Sequence, residues 1–208
     1  VIFDLDGTLL NTIADLAHST NYALNKLGYP THEIEKYNFM VGNGIDKLFE
    51  RALPEEEKSK ENVLRVRKEF VPYYDIHNAD DSRPYPGIPE LLSYLQNAGV
   101  QIAVASNKYQ AATQKLVDHY FPEIHFTAVF GQREGVKVKP DPIIVSDILE
   151  VAKVAKEEVL YVGDSGVDMQ TAANAGVTAC GVTWGFRPRT ELEEFNPSYI
   201  ADTAGEIK

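Results

Sequence analysis

Cysteine, basic stretches and long apolar runs are all scarce in these 208 residues. The single cysteine, Cys180, excludes an intramolecular disulfide framework and a multi-cysteine zinc site, and it suits a reducing compartment. The 20 lysines and arginines face 31 aspartates and glutamates, and the formal net charge is −11. With no long basic stretch to offset that charge, neither nucleic acid nor an anionic membrane surface is an expected partner. No segment approaches the ~18 apolar residues of a membrane span. No charged-then-apolar leader opens the given residues, so a cytoplasmic protein is expected. The chain starts without methionine and stops at Ile207-Lys208, as a sequence trimmed at both ends does. There is no internal repeat and no low-complexity tract. What is plentiful is apolar residues, at 44%. That is enough to bury the core of one large domain, or of a domain carrying a smaller insert.

The apolar residues come in short runs: "VIF" at 1–3, "VQIAVAS" at 100–106, "FTAVFG" at 126–131, "VLYVGD" at 159–164 and "TACGVTW" at 178–184. Rich in valine, isoleucine and aromatics, they read as buried strands. Helical patterns lie between them. One carries Leu91, Leu92, Leu95 and Ala98 and ends at Gly99; another runs from Ile143 to Ala155 behind Pro140 and Pro142; a third runs from Val167 to Ala175 and closes at Gly176. Strand and helix in alternation predict a Rossmann-like parallel sheet with helices on both faces.

One interval breaks that rhythm. From about Ile13 to Arg83 there is no convincing strand, only helical patterns: one on Ile13, Leu16, Ala17, Leu24 and Leu27 closed by Gly28, then others near 31–39, 44–53 and 55–77. A helical insert of this size does not fit inside a sheet. Residues 13–83 are therefore expected to form a helical cap on a core made of 1–12 and 84–208, with "SRPYPG" as a stiff re-entry linker.

Ligands of open parallel sheets bind beyond the carboxyl ends of the strands. Polar residues stand at four such places: Asp4 and Asp6, Ser106 and Asn107, Lys137 and Lys139, and Asp164 and Asp168. Two carboxylates as close as Asp4 and Asp6 repel each other and resist burial, so a cation is expected near them. Asp4, Asp6 and Asp164 offer hard oxygen ligands, which favour Mg2+. Lys139 would add a fixed positive charge, and Ser106 and Asn107 would donate to phosphate oxygens. This set suits phosphoryl transfer, with one aspartate attacking phosphorus and the second carboxylate acting as acid and base.

"DLDGTLLNT", "SNK", the Lys139 of "KPDP" and "GDSGVD" resemble, in order, the four signature motifs of the haloacid dehalogenase-like hydrolase superfamily. The likeness covers nearly the whole chain. "VGNGIDKLFERAL", "RPYPGIPELLSYLQNAGV" and "GVTWGF" look like the phosphoglycolate phosphatase branch. The resemblance implies that Asp4 is the nucleophile and Asp6 the acid and base. It implies that Thr8 touches phosphate, that Ser106 and Asn107 hold it, and that Lys139 steadies the charge on Asp4. Mg2+ would be held by the Asp4 carboxylate, the Asp6 backbone carbonyl and Asp164. Asp168 would act through water or by orienting the lysine. Asn11 departs from the commoner aspartate at a peripheral position. Gly42, Asn43 and Gly44 become a substrate-specificity loop.

Blander readings exist for several of these residues. Asp-x-Asp-Gly alone is usually a turn, Ser106-Asn107 alone a helix cap, and Gly42-Asn43-Gly44 a plain loop. Lys137 and Lys108 compete with Lys139 and would ordinarily be solvated surface charges; Lys139 is favoured because it opens "KPDP". Trp184 and Phe186 read as packing, Cys180 as core, and no histidine is given a role. The leading expectation is a Mg2+-dependent phosphatase, monomeric or homodimeric, acting on a small phosphorylated metabolite, with phosphoglycolate first. A phosphosugar mutase or an inorganic pyrophosphatase of the same fold is the near alternative. From other classes come an aspartyl-phosphate receiver module, which is much shorter and lacks a helical insert, and a catalytically silent binding protein, which would normally have lost Asp4 or Asp6. A two-carboxylate glycosidase has no use for Lys139 or a metal acid on another strand.

Overall fold

The computed structural model describes residues 1–208. Its main sheet has six parallel strands in the order β5-β4-β1-β6-β7-β8. They are β1 (Ile2–Phe3), β4 (Ile102–Tyr109), β5 (Phe126–Gln132), β6 (Leu160–Gly163), β7 (Thr178–Val182) and β8 (Tyr199–Ala201). Successive residues face opposite sides, and both sides are covered. Phe3, Val104, Val162 and Cys180 pack with α4 (Ile88–Asn97) and α5 (Gln110–Tyr120). Ile2, Ala103, Tyr161 and Ala179 pack with α6 (Ile143–Ala152), α7 (Gly166–Ala175) and α8 (Arg189–Glu194). Burial on both faces is why the strands read as continuous apolar runs rather than alternating ones.

The expected α/β architecture is therefore present, with differences at its margins. β8, α5 and α8 were not expected. β8 is three residues long and only Ala201 is buried, which is too short a run to read. β4 runs on to Tyr109 and so carries Ser106, Asn107 and Lys108 within it, with irregular pairing to β5 between Ala105 and Tyr109. The "VLYVGD" and "TACGVTW" strands stop short of their final polar or aromatic residues.

The helical interval holds α1 (Ile13–Lys26), a 3-10 turn at Ile34–Phe39, α2 (Ile45–Ala52) and α3 (Lys60–His77). Leu16, Leu24, Tyr37, Leu48, Phe49, Val66 and Phe70 form a hydrophobic cluster of their own there, to which the sheet-bearing part adds Ala112. The two chain crossings into this helical cap are paired. β2 (Leu10–Asn11) runs antiparallel to β3 (Arg83–Pro84), a two-residue ribbon where only linkers were expected. Asp15 in the first turn of α1 clamps the ribbon's exit: its carboxylate accepts from the Asp81 and Ser82 amides at 2.9 and 2.8 Å and from the Ser82 hydroxyl at 2.6 Å.

Chain order reverses at β1, since β4 and β5 extend the sheet one way and β6, β7 and β8 the other. The carboxyl ends of β1, β4 and β6 thus open on a crevice at the switch point, where open α/β sheets bind ligands. No helix is long and apolar enough to cross a membrane.

Candidate active site

A small cavity lies in the crevice between sheet and cap. Asp4, Asp6, Ser106, Asn107, Lys108 and Asp164 line its sheet side, and Leu16, Val41, Gly42, Gly44, Ile45 and Leu48 its cap side.

Asp4 stands at the end of β1, buried, with one carboxylate oxygen fully engaged. Oδ1 accepts from the Leu5 amide at 2.7 Å and lies 3.0 Å from the Lys139 ammonium, while Oδ2 has no protein partner. Burial and the nearby Asp168 and Asp6 charges push the Asp4 carboxyl up to about 7, against the opposing pull of Lys139. Lys139 is itself buried behind Asp4 rather than lining the cavity. Its ammonium meets the Ala105 carbonyl at 2.9 Å, Asp168 Oδ1 at 2.7 Å and the Tyr161 hydroxyl at 3.1 Å. Burial alone would lower its pKa, but the Asp168 and Asp4 carboxylates outweigh that and hold it charged.

Asp168 is a positioning group. Its Oδ1 takes Lys139 and its Oδ2 accepts from the Ser165 hydroxyl at 2.6 Å, capping α7 from within. Asp164, at the end of β6, is pushed well upward by burial and by Asp168 and Asp4. It is fixed by the Phe186 amide at 2.7 Å and, more loosely, by the Thr8 hydroxyl at 3.4 Å. Two glycines let the backbone come this close to it. A Cβ at Gly7, where φ is +86°, would fall 2.2 Å from Asp164 Oδ2, and one at Gly185 would fall 2.3 Å from Asp164 Cβ.

Carboxylate oxygens of Asp4, Asp164 and Asp168 lie within 4.8 Å of one another. Three buried carboxylates around one point, two of them with raised pKa values, fit a hard divalent cation. With both Asp168 oxygens engaged, Asp4 and Asp164 are the acids left to hold it. The Asp6 carboxylate is outside this group. It turns toward the chain crossing, where Thr12 Oγ1 donates to its Oδ1 at 2.6 Å and the Lys108 ammonium lies 3.2 Å away.

Several expected placements differ. Thr8 is buried against Asp164 and does not line the cavity. The Asn107 amide is spent within the protein, donating to the Gly42 carbonyl at 2.9 Å and the Lys139 carbonyl at 3.1 Å. Ser106 accepts from the Lys108 amide at 3.1 Å and keeps its hydroxyl proton for the cavity. Gly42 and Gly44 reach the cavity, but Asn43 turns away to accept from Arg51. Lys108, read as a surface charge, is buried; its ammonium donates to the Tyr74 hydroxyl of α3 at 2.7 Å. Phe186 and Arg187 also line the cavity. The strand-end reasoning that found Ser106 and Asp164 reaches them too when it is applied past the fifth apolar run.

Residues 1–182 match the family described as haloacid dehalogenase-like hydrolase. The chain is 32% identical to a phosphoglycolate phosphatase of Vibrio parahaemolyticus, covering 100% of this chain and 93% of that protein. It is 33% identical to a phosphoglycolate phosphatase of Mesorhizobium japonicum, covering 96% and 88%. The crystal structure of a provisionally assigned phosphoglycolate phosphatase from Lactobacillus delbrueckii subsp. bulgaricus is similar at 33% identity, with a TM-score of 0.93 over 99% of this chain and 95% of that one. Together with the clustered acids and the buried lysine, these similarities establish that the chain belongs to the haloacid dehalogenase-like hydrolase family, on its phosphoglycolate phosphatase-like branch.

Proposed function

We propose that this chain is a Mg2+-dependent phosphatase that hydrolyses a small phosphomonoester through an aspartyl-phosphate on Asp4, with phosphoglycolate as the first candidate substrate. The observation that carries the reading is the division of the Asp4 carboxylate. Oδ1 is pinned by Lys139 and the Leu5 amide, and Oδ2 is free on a residue that lines the cavity. A nucleophile held this way is pre-aimed, which lowers the entropic part of the barrier.

In the first half-reaction Asp4 Oδ2 bonds to phosphorus as the bond from phosphorus to the ester oxygen breaks, and Asp6 passes its proton to the departing alkoxide. Thr12 and Lys108 engage Asp6 Oδ1, which leaves Oδ2 to carry that proton. In the second, Asp6 takes a proton from water, whose oxygen attacks phosphorus. The bond to Asp4 breaks and inorganic phosphate leaves. Ser106 Oγ–H donates to a phosphate oxygen, while Lys139 steadies the Asp4 carboxylate from behind. Asp4, Asp164 and the Asp6 carbonyl would hold Mg2+, whose positive charge would offset that of the phosphoryl group.

Residues 13–83 act as the cap over a core of 1–12 and 84–208, excluding bulk water when closed and opening for exchange. The enzyme works in the cytoplasm, as monomer or homodimer. Asp4→Asn tests the mechanism: it should abolish release of phosphate from p-nitrophenyl phosphate and phosphoglycolate, and a variant that keeps its rate rules the mechanism out.

A further inference from the structure

Arg187 follows β7 on the core side of the cavity, yet its contacts are with the cap. Its Nη2 donates to the Val41 carbonyl at 3.0 Å and, weakly, to the Phe39 carbonyl at 3.5 Å, and its guanidinium sits 5.2 Å from the centre of the Phe39 ring. The side chain is only 11% exposed, and its nearest acid, Glu191, is 3.9 Å from Nε. Glu191 is partly spent elsewhere, accepting from the Gly166 amide at 2.9 Å. Nη1 has no protein partner. The second cavity cation, Lys108, is already answered by Asp6 and Tyr74. Arg51 stands nearby without an ion pair, donating to the Met40 carbonyl and Asn43, and burial and the Arg187 charge hold its pKa down against the opposing pull of Glu50. A chain of net charge −11 thus keeps a poorly compensated, nearly buried guanidinium at the wall of its active cavity. Burying such a charge is costly without a counter-charge.

We infer that Arg187 is a specificity-determining residue that binds a carboxylate on the leaving-alcohol side of the substrate, so that the enzyme selects short phosphomonoesters bearing a second anion. This rests on the phosphatase reading above and adds to it the group that reads the substrate's far end. The planar fork of an arginine matches a carboxylate, and the phosphate end of the cavity, at Asp4 and Ser106, is built from other residues. The apolar side chains of Leu16, Val41, Ile45, Leu48 and Phe186 fill much of the remaining wall. They offer an anion no competing partner. Because Arg187 is held by cap carbonyls, its guanidinium is presented to substrate when the cap is seated.

The test compares phosphoglycolate with ethyl phosphate, which replaces the carboxylate by a methyl group. In wild type, kcat/KM should favour phosphoglycolate. In Arg187→Met that preference should fall about 10- to 100-fold, the loss of a charge-assisted hydrogen bond, chiefly through KM for phosphoglycolate. Arg187→Lys, which keeps the charge but not the fork, should retain part of the preference and serves if Arg187→Met fails to fold. A preference that is unchanged in both variants makes Arg187 a strap between core and cap and overturns the inference. A wild type that does not prefer phosphoglycolate overturns it while leaving the phosphatase reading intact. A wild type that hydrolyses neither ester, nor p-nitrophenyl phosphate, overturns both.

Discussion

The Lys108 ammonium donates to the Tyr74 hydroxyl across 2.7 Å while lying 3.2 Å from Asp6. One buried lysine on a core strand therefore joins a cap helix to the residue assigned the proton transfers. It also lies 4.7 Å from the centre of the Tyr74 ring, out past the hydroxyl edge. The position of the cap and the setting of the acid are physically linked through this side chain.

Tyr74→Phe keeps the ring and removes the acceptor. It should lower stability by about 1 kcal/mol, the usual net value of a buried hydrogen bond, and lower kcat about 3- to 10-fold as Asp6 loses a fixed neighbour. Chemical denaturation and steady-state kinetics check the two parts. An unchanged kcat would mean that the tyrosine only packs.

The raised Asp4 pKa makes the metal response depend on pH. With a folded value of about 7 against an ordinary 3.8, the native protein holds a proton there that the unfolded chain has released. The stability from that proton is complete below 3.8 and is lost as pH rises through about 7. Mg2+ must displace the proton, so 10 mM Mg2+ should raise the melting temperature more at pH 8 than at pH 5.5. Asp4→Asn should flatten this difference. Thermal melts at the two pH values, with and without metal, decide the matter.

Gly185→Ala should strike Asp164 without changing any charge. The added methyl would lie 2.3 Å from Asp164 Cβ and 2.3 Å from the Gly7 carbonyl, so one of them must move. The expected cost is about 1–3 kcal/mol in stability, together with a tenfold or greater rise in the Mg2+ concentration giving half-maximal activity. Metal titration of the rate measures this.

Asp15 should matter for the fold rather than for the chemistry, because it accepts from the Asp81 and Ser82 amides and the Ser82 hydroxyl at the chain's return from the cap. Asp15→Ala leaves the Ser82 amide and hydroxyl buried and unpaired and should cost about 2–3 kcal/mol. Urea unfolding reads the loss, and a change within error would show that water replaces the carboxylate.

Much of the site was legible because it obeys a local rule. Asp4, Ser106 and Asp164 sit where an apolar run meets polar residues, and a parallel sheet sends such places to one edge. Lys139 and Asp168 were recognisable through the four motifs taken together, although their mutual 2.7 Å contact crosses from one loop to another helix. Asn107 was expected to donate to phosphate, and its place was found. Its partners, the Gly42 and Lys139 carbonyls, depend on how the cap loop descends, which no spacing encodes. Lys108 was mistaken for a surface charge because it stands three residues past Ala105, the last aliphatic residue of its strand, and the groups that hold it, Tyr74 of the cap and Asp6, come from distant segments.

The sequence alone determined the alternation of strand and helix, the helical interval, and the acids at strand ends, because these follow from periodicity and from residue chemistry within a few positions. Tertiary structure decided which oxygen of Asp4 is free, which way Asp6 and Asn43 turn, and that Arg187 sits under the cap. Each of these is a contact between segments far apart in the chain. Each depends on how one layer settles on another, and the side chains that meet there carry no mark of their partners in the local pattern.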